Sequence, residues 1–62
     1  MAAKKTIGVI VAGAYGRMGR KVVKAVSADS ALRLAGAFDA FGAGQDAGEA
    51  AGIGKTGIVI TD

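Results

Sequence analysis

Three glycines stand at intervals of three, Gly13, Gly16 and Gly19, directly after the apolar run Thr6-Ile7-Gly8-Val9-Ile10-Val11-Ala12. Between a strand and a helix, each has a mechanical role. The first lets the chain leave the strand in a tight turn, the second lets the backbone approach a pyrophosphate, and the third lets helix and strand pack closely. A helix beginning near Arg17 then aims its unpaired N–H groups and the positive end of its dipole at the anion. About twenty residues beyond Gly19, and directly after a second apolar run, comes Asp39. A carboxylate there accepts hydrogen bonds from the ribose hydroxyls of an adenosine. The chemistry open to these residues is the binding of a dinucleotide by its phosphates and ribose.

The residues between the glycines refine this reading. Tyr15 holds the second place and Gly16 follows it, so the motif is G-x-x-G-x-x-G, not G-x-G-x-x-G. Tyr15 is expected to point away from the phosphates, over the adenosine side or toward solvent, and it reads equally as a surface aromatic without ligand contact. Asp39 favours NAD and repels a 2′-phosphate, its other reading being a solvated aspartate in a turn. Arg17 could pair a phosphate of NADP or sit as a solvated charge on a helix face. Met18 reads as a core residue of the helix, while its N–H can still point at the pyrophosphate. A second glycine-rich stretch, Gly52-Ile53-Gly54-Lys55-Thr56, fails as a phosphate-binding P-loop because it precedes a strand and not a helix. There is no histidine and no cysteine, and Asp39, Asp46, Glu49 and Asp62 show no ligand spacing. No catalytic residue and no metal site are therefore assigned.

The elements that must position these residues follow from periodicity. Residues 6–12 are apolar and β-branched and end at a glycine, the pattern of a strand buried on both faces. From Arg17 to Val26, Met18, Val22, Ala25 and Val26 share one helical face and Arg17, Arg20, Lys21 and Lys24 the other. Ser27, Asp29 and Ser30 mark a turn. Leu32 to Phe38 reads as a second strand. Residues 40–57 hold six of the eleven glycines and form an ordered or a mobile loop, with one helical turn available at Ala47–Ala51. Residues 57–61 read as a third strand. Strand, glycine turn, helix, strand, loop, strand is the order of a parallel sheet with a right-handed crossover. The fold class is α/β, a partial Rossmann unit (βαβ-β) of parallel three-layer type. A complete domain needs further strands and helices on both faces, so residues 1–62 are expected to be a fragment of a longer nucleotide-binding domain.

Composition is consistent with this. Sixty-two residues, 52% hydrophobic with Tyr15, Phe38 and Phe41 as the aromatics, allow a single small domain whose core is Val, Ile, Leu and Ala. Without cysteine, neither a disulfide nor a thiolate metal site can supplement it. The net charge is +3, concentrated in the first half, and reads as solvated helix charge and N-terminal Lys4 and Lys5, with no nucleic acid implied. No run approaches the ~18 apolar residues that span a bilayer. Glycine interruptions leading into Arg17 and Arg20 argue against a signal peptide. A cytoplasmic setting and no membrane partner are expected.

With these residues in place, the chain resembles the N-terminal part of the dihydrodipicolinate reductase (4-hydroxy-tetrahydrodipicolinate reductase) family of lysine and diaminopimelate biosynthesis. The resemblance rests on Val11-Ala12-Gly13-Ala14-Tyr15-Gly16-Arg17-Met18-Gly19-Arg20, on Leu34-Ala35-Gly36-Ala37 before the acid, and on Gln45-Asp46-Ala47-Gly48-Glu49-Ala50-Ala51-Gly52 leading to Gly57-Ile58-Val59-Ile60. It covers nearly all of this chain and about the first quarter of such an enzyme. It implies that NADH or NADPH delivers hydride to the cyclic product of dihydrodipicolinate synthase. It also implies that Gly13, Ala14, Tyr15, Gly16, Arg17 and Met18 form the cofactor-binding loop, with Asp39 as the ribose-binding acid. Two departures matter. Many relatives have Gly where Tyr15 stands, and many follow the acid with an Arg where Ala40 stands here. Dual cofactor use stays open, with NADH slightly favoured. By the same resemblance residues 1–62 are the N-terminal part of an NAD(P)-binding Rossmann domain, and the family's catalytic histidine and lysine and its substrate-binding and tetramer-forming sheet belong to a C-terminal catalytic domain absent here. The full-length member is thus expected to be a homotetramer, and this chain alone is not expected to catalyse the reaction. Two other readings are a G-x-x-G-x-x-G dehydrogenase of semialdehyde or homoserine type, which the G-R-M-G-R run disfavours, and a non-catalytic nucleotide-binding module. A complete three-strand module would leave a large apolar face exposed.

Overall fold

The computed structural model describes residues 6–62; Lys4 and Lys5, read above as N-terminal charge, lie outside the described residues. The elements run β1 (Ile7–Ala12), α1 (Arg17–Ala28), β2 (Leu32–Phe38), α2 (Ala47–Ala50) and β3 (Ile60–Thr61). The strands form one sheet in the order β1-β2-β3, and both pairings are parallel. This is the expected partial Rossmann unit. The β1–β2 register shifts between Val9, opposite Leu34, and Ile10, opposite Gly36, which leaves Ala35 as an extra residue. A bulge of this kind increases the local twist of the strand that carries it.

The core lies between the sheet and the helices. Val11, Ala14, Val23, Ala37, Ala47 and Ile60 form one buried cluster, with Val9, Leu34, Ile53 and Ile58 packed against it. Its small residues bring the helices close to the strands. The helix buries Gly19, Val23 and Val26, which lie four and three residues apart and so share one face. The expected face of Met18, Val22, Ala25 and Val26 is thereby corrected. Val26 is buried, but Ala25 is exposed, Val22 is 38% exposed and Met18 72%. The helix meets the sheet where it has least side chain, at Gly19, and this choice turns Met18 outward.

The expectation that β1 is buried on both faces is corrected as well. Val11 is buried and Val9 half-buried, but Gly8, Ile10 and Ala12 on the alternate positions are exposed. Both helices pack on the Val11 face, and the opposite face carries exposed Ile10, Phe38 and Val59. A strand buries its second face only when another layer covers it. Among the described residues the sheet has its helical layer on one side.

Residues 40–57 are ordered around Asp46. The Asp46 carboxylate caps α2 by accepting from the N–H groups of Gly48 and Glu49, at 2.8 and 3.2 Å. It also accepts from the Thr56 N–H and hydroxyl at 2.9 and 3.0 Å, and from the Gly57 N–H at 2.7 Å. These bonds hold the carboxyl well below the ordinary carboxylate range, the Thr56 N–H having the largest effect. The expected turn at Ala47–Ala51 is thus α2, one residue shorter. The expected third strand over 57–61 shortens to Ile60–Thr61 because Gly57 is engaged by Asp46 and Val59 forms an antiparallel bridge with Asp46. The far edge of β3 is closed by bonds from Gly44 N–H to the Ile60 carbonyl and from Ile60 N–H to the Gln45 carbonyl, both 2.8 Å.

Candidate functional site at the strand ends

In a parallel sheet, ligands bind beyond the carboxyl ends of the strands. The glycine turn leaves the end of β1 and Asp39 the end of β2, so the fold brings the two together. Gly13 has φ +73°, a conformation that glycine alone adopts without penalty. The Gly13 and Ala14 N–H groups both donate to the Phe38 carbonyl, at 2.7 and 3.0 Å, which fastens the turn to the end of β2. Ala14 is fully buried. A Cβ on Gly19 would overlap the Gly13 carbonyl, so the third glycine serves the close approach of helix and turn. Gly16 differs. Its φ is an ordinary −75°, and a Cβ there would meet only the Gly13 carbonyl oxygen, at 3.4 Å. Nothing among the described residues demands glycine at this position.

The donors of the turn divide into two sets. Tyr15 N–H donates to Asp39 Oδ2 at 2.9 Å, and Gly16 N–H to the Gly13 carbonyl at 3.1 Å. With Gly13 and Ala14 bound to Phe38, the N–H groups of residues 13–16 are all engaged. The first helical bond runs from Arg20 N–H to the Gly16 carbonyl, and no side chain caps the helix. The N–H groups of Arg17, Met18 and Gly19 are therefore left without an acceptor among the described residues. They form the positive end of a twelve-residue helix, a ready anion site. Arg17 and Met18 are both exposed there.

Asp39 is half-buried at the rim. Its Oδ1 accepts from Phe41 N–H at 2.9 Å and its Oδ2 from Tyr15 N–H. The Phe41 bond first, then the Tyr15 bond, hold the carboxyl below its ordinary 3.8. An ionised carboxylate has about four acceptor positions, and these two bonds leave room for a pair of ribose hydroxyls. Tyr15 does not point into solvent as sequence allowed. It packs against the core cluster, its ring lies against Gly42, and the Arg20 guanidinium sits over the ring, 5.0 Å from its centre. Arg20 Nε also donates to the Tyr15 carbonyl at 2.8 Å. Sequence places Arg20 on the polar helix face and in the G-R-M-G-R run, while its contact with Tyr15 emerges only in the fold.

Comparison with known proteins adds the decisive observation. The family model described as dihydrodipicolinate reductase, N-terminus, matches residues 7–62. The chain belongs to that family. It is 54% identical over 54 residues to the 4-hydroxy-tetrahydrodipicolinate reductase of Archaeoglobus fulgidus, covering 87% of this chain and 21% of that protein. It is 48% identical over 56 residues to the enzyme of the same name from Gloeobacter violaceus, covering 90% and 21%. Against that of Anaeromyxobacter sp. it is 47% identical over 57 residues, covering 90% and 21%. The chain thus spans about a fifth of the length of these reductases. As a member of that family it comprises three parallel strands of a nucleotide-binding fold, with no helix among the described residues long and apolar enough to cross a membrane. Among the same residues no cluster of His, Cys, Asp and Glu could hold a metal ion.

Proposed function

We propose that this chain is the cofactor-binding segment of a 4-hydroxy-tetrahydrodipicolinate reductase, in which NADH or NADPH reduces the cyclic intermediate of lysine and diaminopimelate biosynthesis. The observation that carries the reading is the set of N–H groups on Arg17, Met18 and Gly19 that have no acceptor among the described residues, at the end of the turn whose Tyr15 N–H holds the Asp39 carboxylate. Gly16 supports it, since its lack of a side chain is unexplained by the chain's own packing and suits a close-lying pyrophosphate. Gly13 and Ala14 shape the turn and Tyr15 holds Asp39, so these residues serve the cofactor through backbone placement. Arg17 and Met18 would meet the phosphates directly, and Asp39 would accept from the ribose. The cofactor, when bound, supplies the hydride; the residues here bind and orient its adenosine half.

NADH is favoured over NADPH. The Asp39 carboxylate is stabilised in its charged form, and a 2′-phosphate beside it meets like-charge repulsion. Ala40 offers no compensating cation, whereas Arg17, exposed at the first residue of α1, keeps NADPH use open. On the family resemblance, the site of the substrate that receives the hydride and the catalytic histidine and lysine belong to a C-terminal domain, and the longer protein is a cytoplasmic homotetramer. Calorimetric titration of the chain with NADH and NADPH tests the cofactor reading. Saturable binding of NADH, weaker for NADPH, is expected; a folded chain that binds neither would sink it.

A further inference from the structure

We propose that Arg20 is a positioning residue for the cofactor, acting through Tyr15 and not by touching the phosphates; the inference rests on the dinucleotide reading above. Three links meet at Tyr15. Its N–H holds the Asp39 carboxylate. Its ring lies against the backbone of Gly42, where φ is +74° and a Cβ would overlap the ring. Its carbonyl and the face of its ring both take the Arg20 guanidinium, through the 2.8 Å Nε bond and the 5.0 Å stacking contact.

The consequence is mechanical. Arg20 sits one turn into α1, while Asp39 and Gly42 belong to the loop that follows β2. Tyr15 joins them, so the element that offers N–H groups to phosphate and the loop that offers a carboxylate to ribose become one rigid body. A loose Tyr15 would let the two drift apart, and ordering them would then be charged against binding. Arginine suits the task because its planar group can lie on a ring and donate in-plane from Nε at the same time. Lysine keeps the charge but has no such fork.

The experiment is a double-mutant cycle on the chain, with NADH affinity and the near-ultraviolet circular dichroism of the tyrosine as readouts. Tyr15 is the sole tyrosine and there is no tryptophan, so the tyrosine band reports the clasp directly and without cofactor. Arg20→Met is expected to flatten that band, leave the far-ultraviolet spectrum intact, and weaken NADH binding roughly fivefold to tenfold, the loss of one hydrogen bond and one cation–π contact. Arg20→Lys is expected to recover less than half of that loss. In a Tyr15→Ala background the ring contact is gone while the residue-15 carbonyl can still accept from Arg20 Nε, so Arg20→Met should cost only about twofold to threefold, clearly less than in the wild-type chain. Full recovery by lysine, an undiminished effect in the Tyr15→Ala background, or an unchanged tyrosine band would overturn the proposal. Should Arg20→Met unfold the chain, the lysine variant carries the same spectral and affinity tests. Wild-type chain that binds neither cofactor overturns the cofactor reading itself, an outcome visible before any variant is made.

Discussion

Asp39 does two things with one carboxylate, and its substitution should separate them. Asp39→Ala removes the acceptor for Tyr15 and Phe41 N–H together with the acceptor proposed for ribose. NADH binding is expected to weaken about tenfold, the scale of hydrogen bonds to a charged group, and NADPH binding to weaken less, because a repulsion goes with the attraction. Parallel calorimetric titrations decide it; equal losses for the two cofactors would remove Asp39 from the discrimination. The acid response has a definite sign. The folded carboxyl lies below its ordinary 3.8, so the link it supports is fully present above that value and fades as pH falls through the depressed one. The amide resonances of Tyr15 and Phe41 should therefore move together with a midpoint below 3.8. Gly13, at φ +73°, makes a different prediction. Gly13→Ala is expected to cost about 1–2 kcal/mol in a urea melt, from backbone conformation alone, since a Cβ there meets open space.

At the scale of elements, the stretch from β2 to β3 depends on Asp46. It is buried and satisfied at both oxygens, and its partners come from α2 and from residues 56 and 57. Asp46→Ala leaves the N–H groups of Gly48, Thr56 and Gly57 without their acceptor. Amide exchange at those three positions should accelerate about tenfold or more, while the amides of Val22 and Val23 in α1 keep their protection. A uniform acceleration across the chain would mean that the loop and the sheet open as one. Little of this was legible in sequence, because glycine density suggests mobility and the order comes from one side chain meeting donors ten and eleven residues away. The helix was legible in extent, and its buried stripe was not: composition favours Met18 and Val22, whereas contact with the turn selects Gly19.

The described residues form a sheet with its helical layer on one side, and the two faces should respond differently to substitution. Ile60 is 1% exposed in the core. Ile60→Ala is expected to cost about 2–5 kcal/mol, a large share of the roughly 3–9 kcal/mol available to a chain of this length. Ile10 is 62% exposed on the other face, and Ile10→Thr should stay within about 0.5 kcal/mol. Urea denaturation of the two variants measures both. A cost at Ile10 as large as that at Ile60 would show that the chain in solution covers this face.

Sequence by itself determined the order of elements, the place of the glycine turn, the acid at the end of β2 and the family, because each depends on local pattern: alternation of period, positive φ, and a run of specific residues. Tertiary structure decided which donors remain open. The four N–H groups of residues 13–16 are engaged by Phe38, Asp39 and Gly13, and those of Arg17, Met18 and Gly19 stay available among the described residues. It also decided that Met18 faces out, that Tyr15 is clasped by Arg20 against Gly42, and that Asp46 orders the long loop. Hydrogen bonds and close approaches between residues far apart in the chain exist only once the strands are paired, and no spacing along the sequence encodes which donor an acceptor will meet.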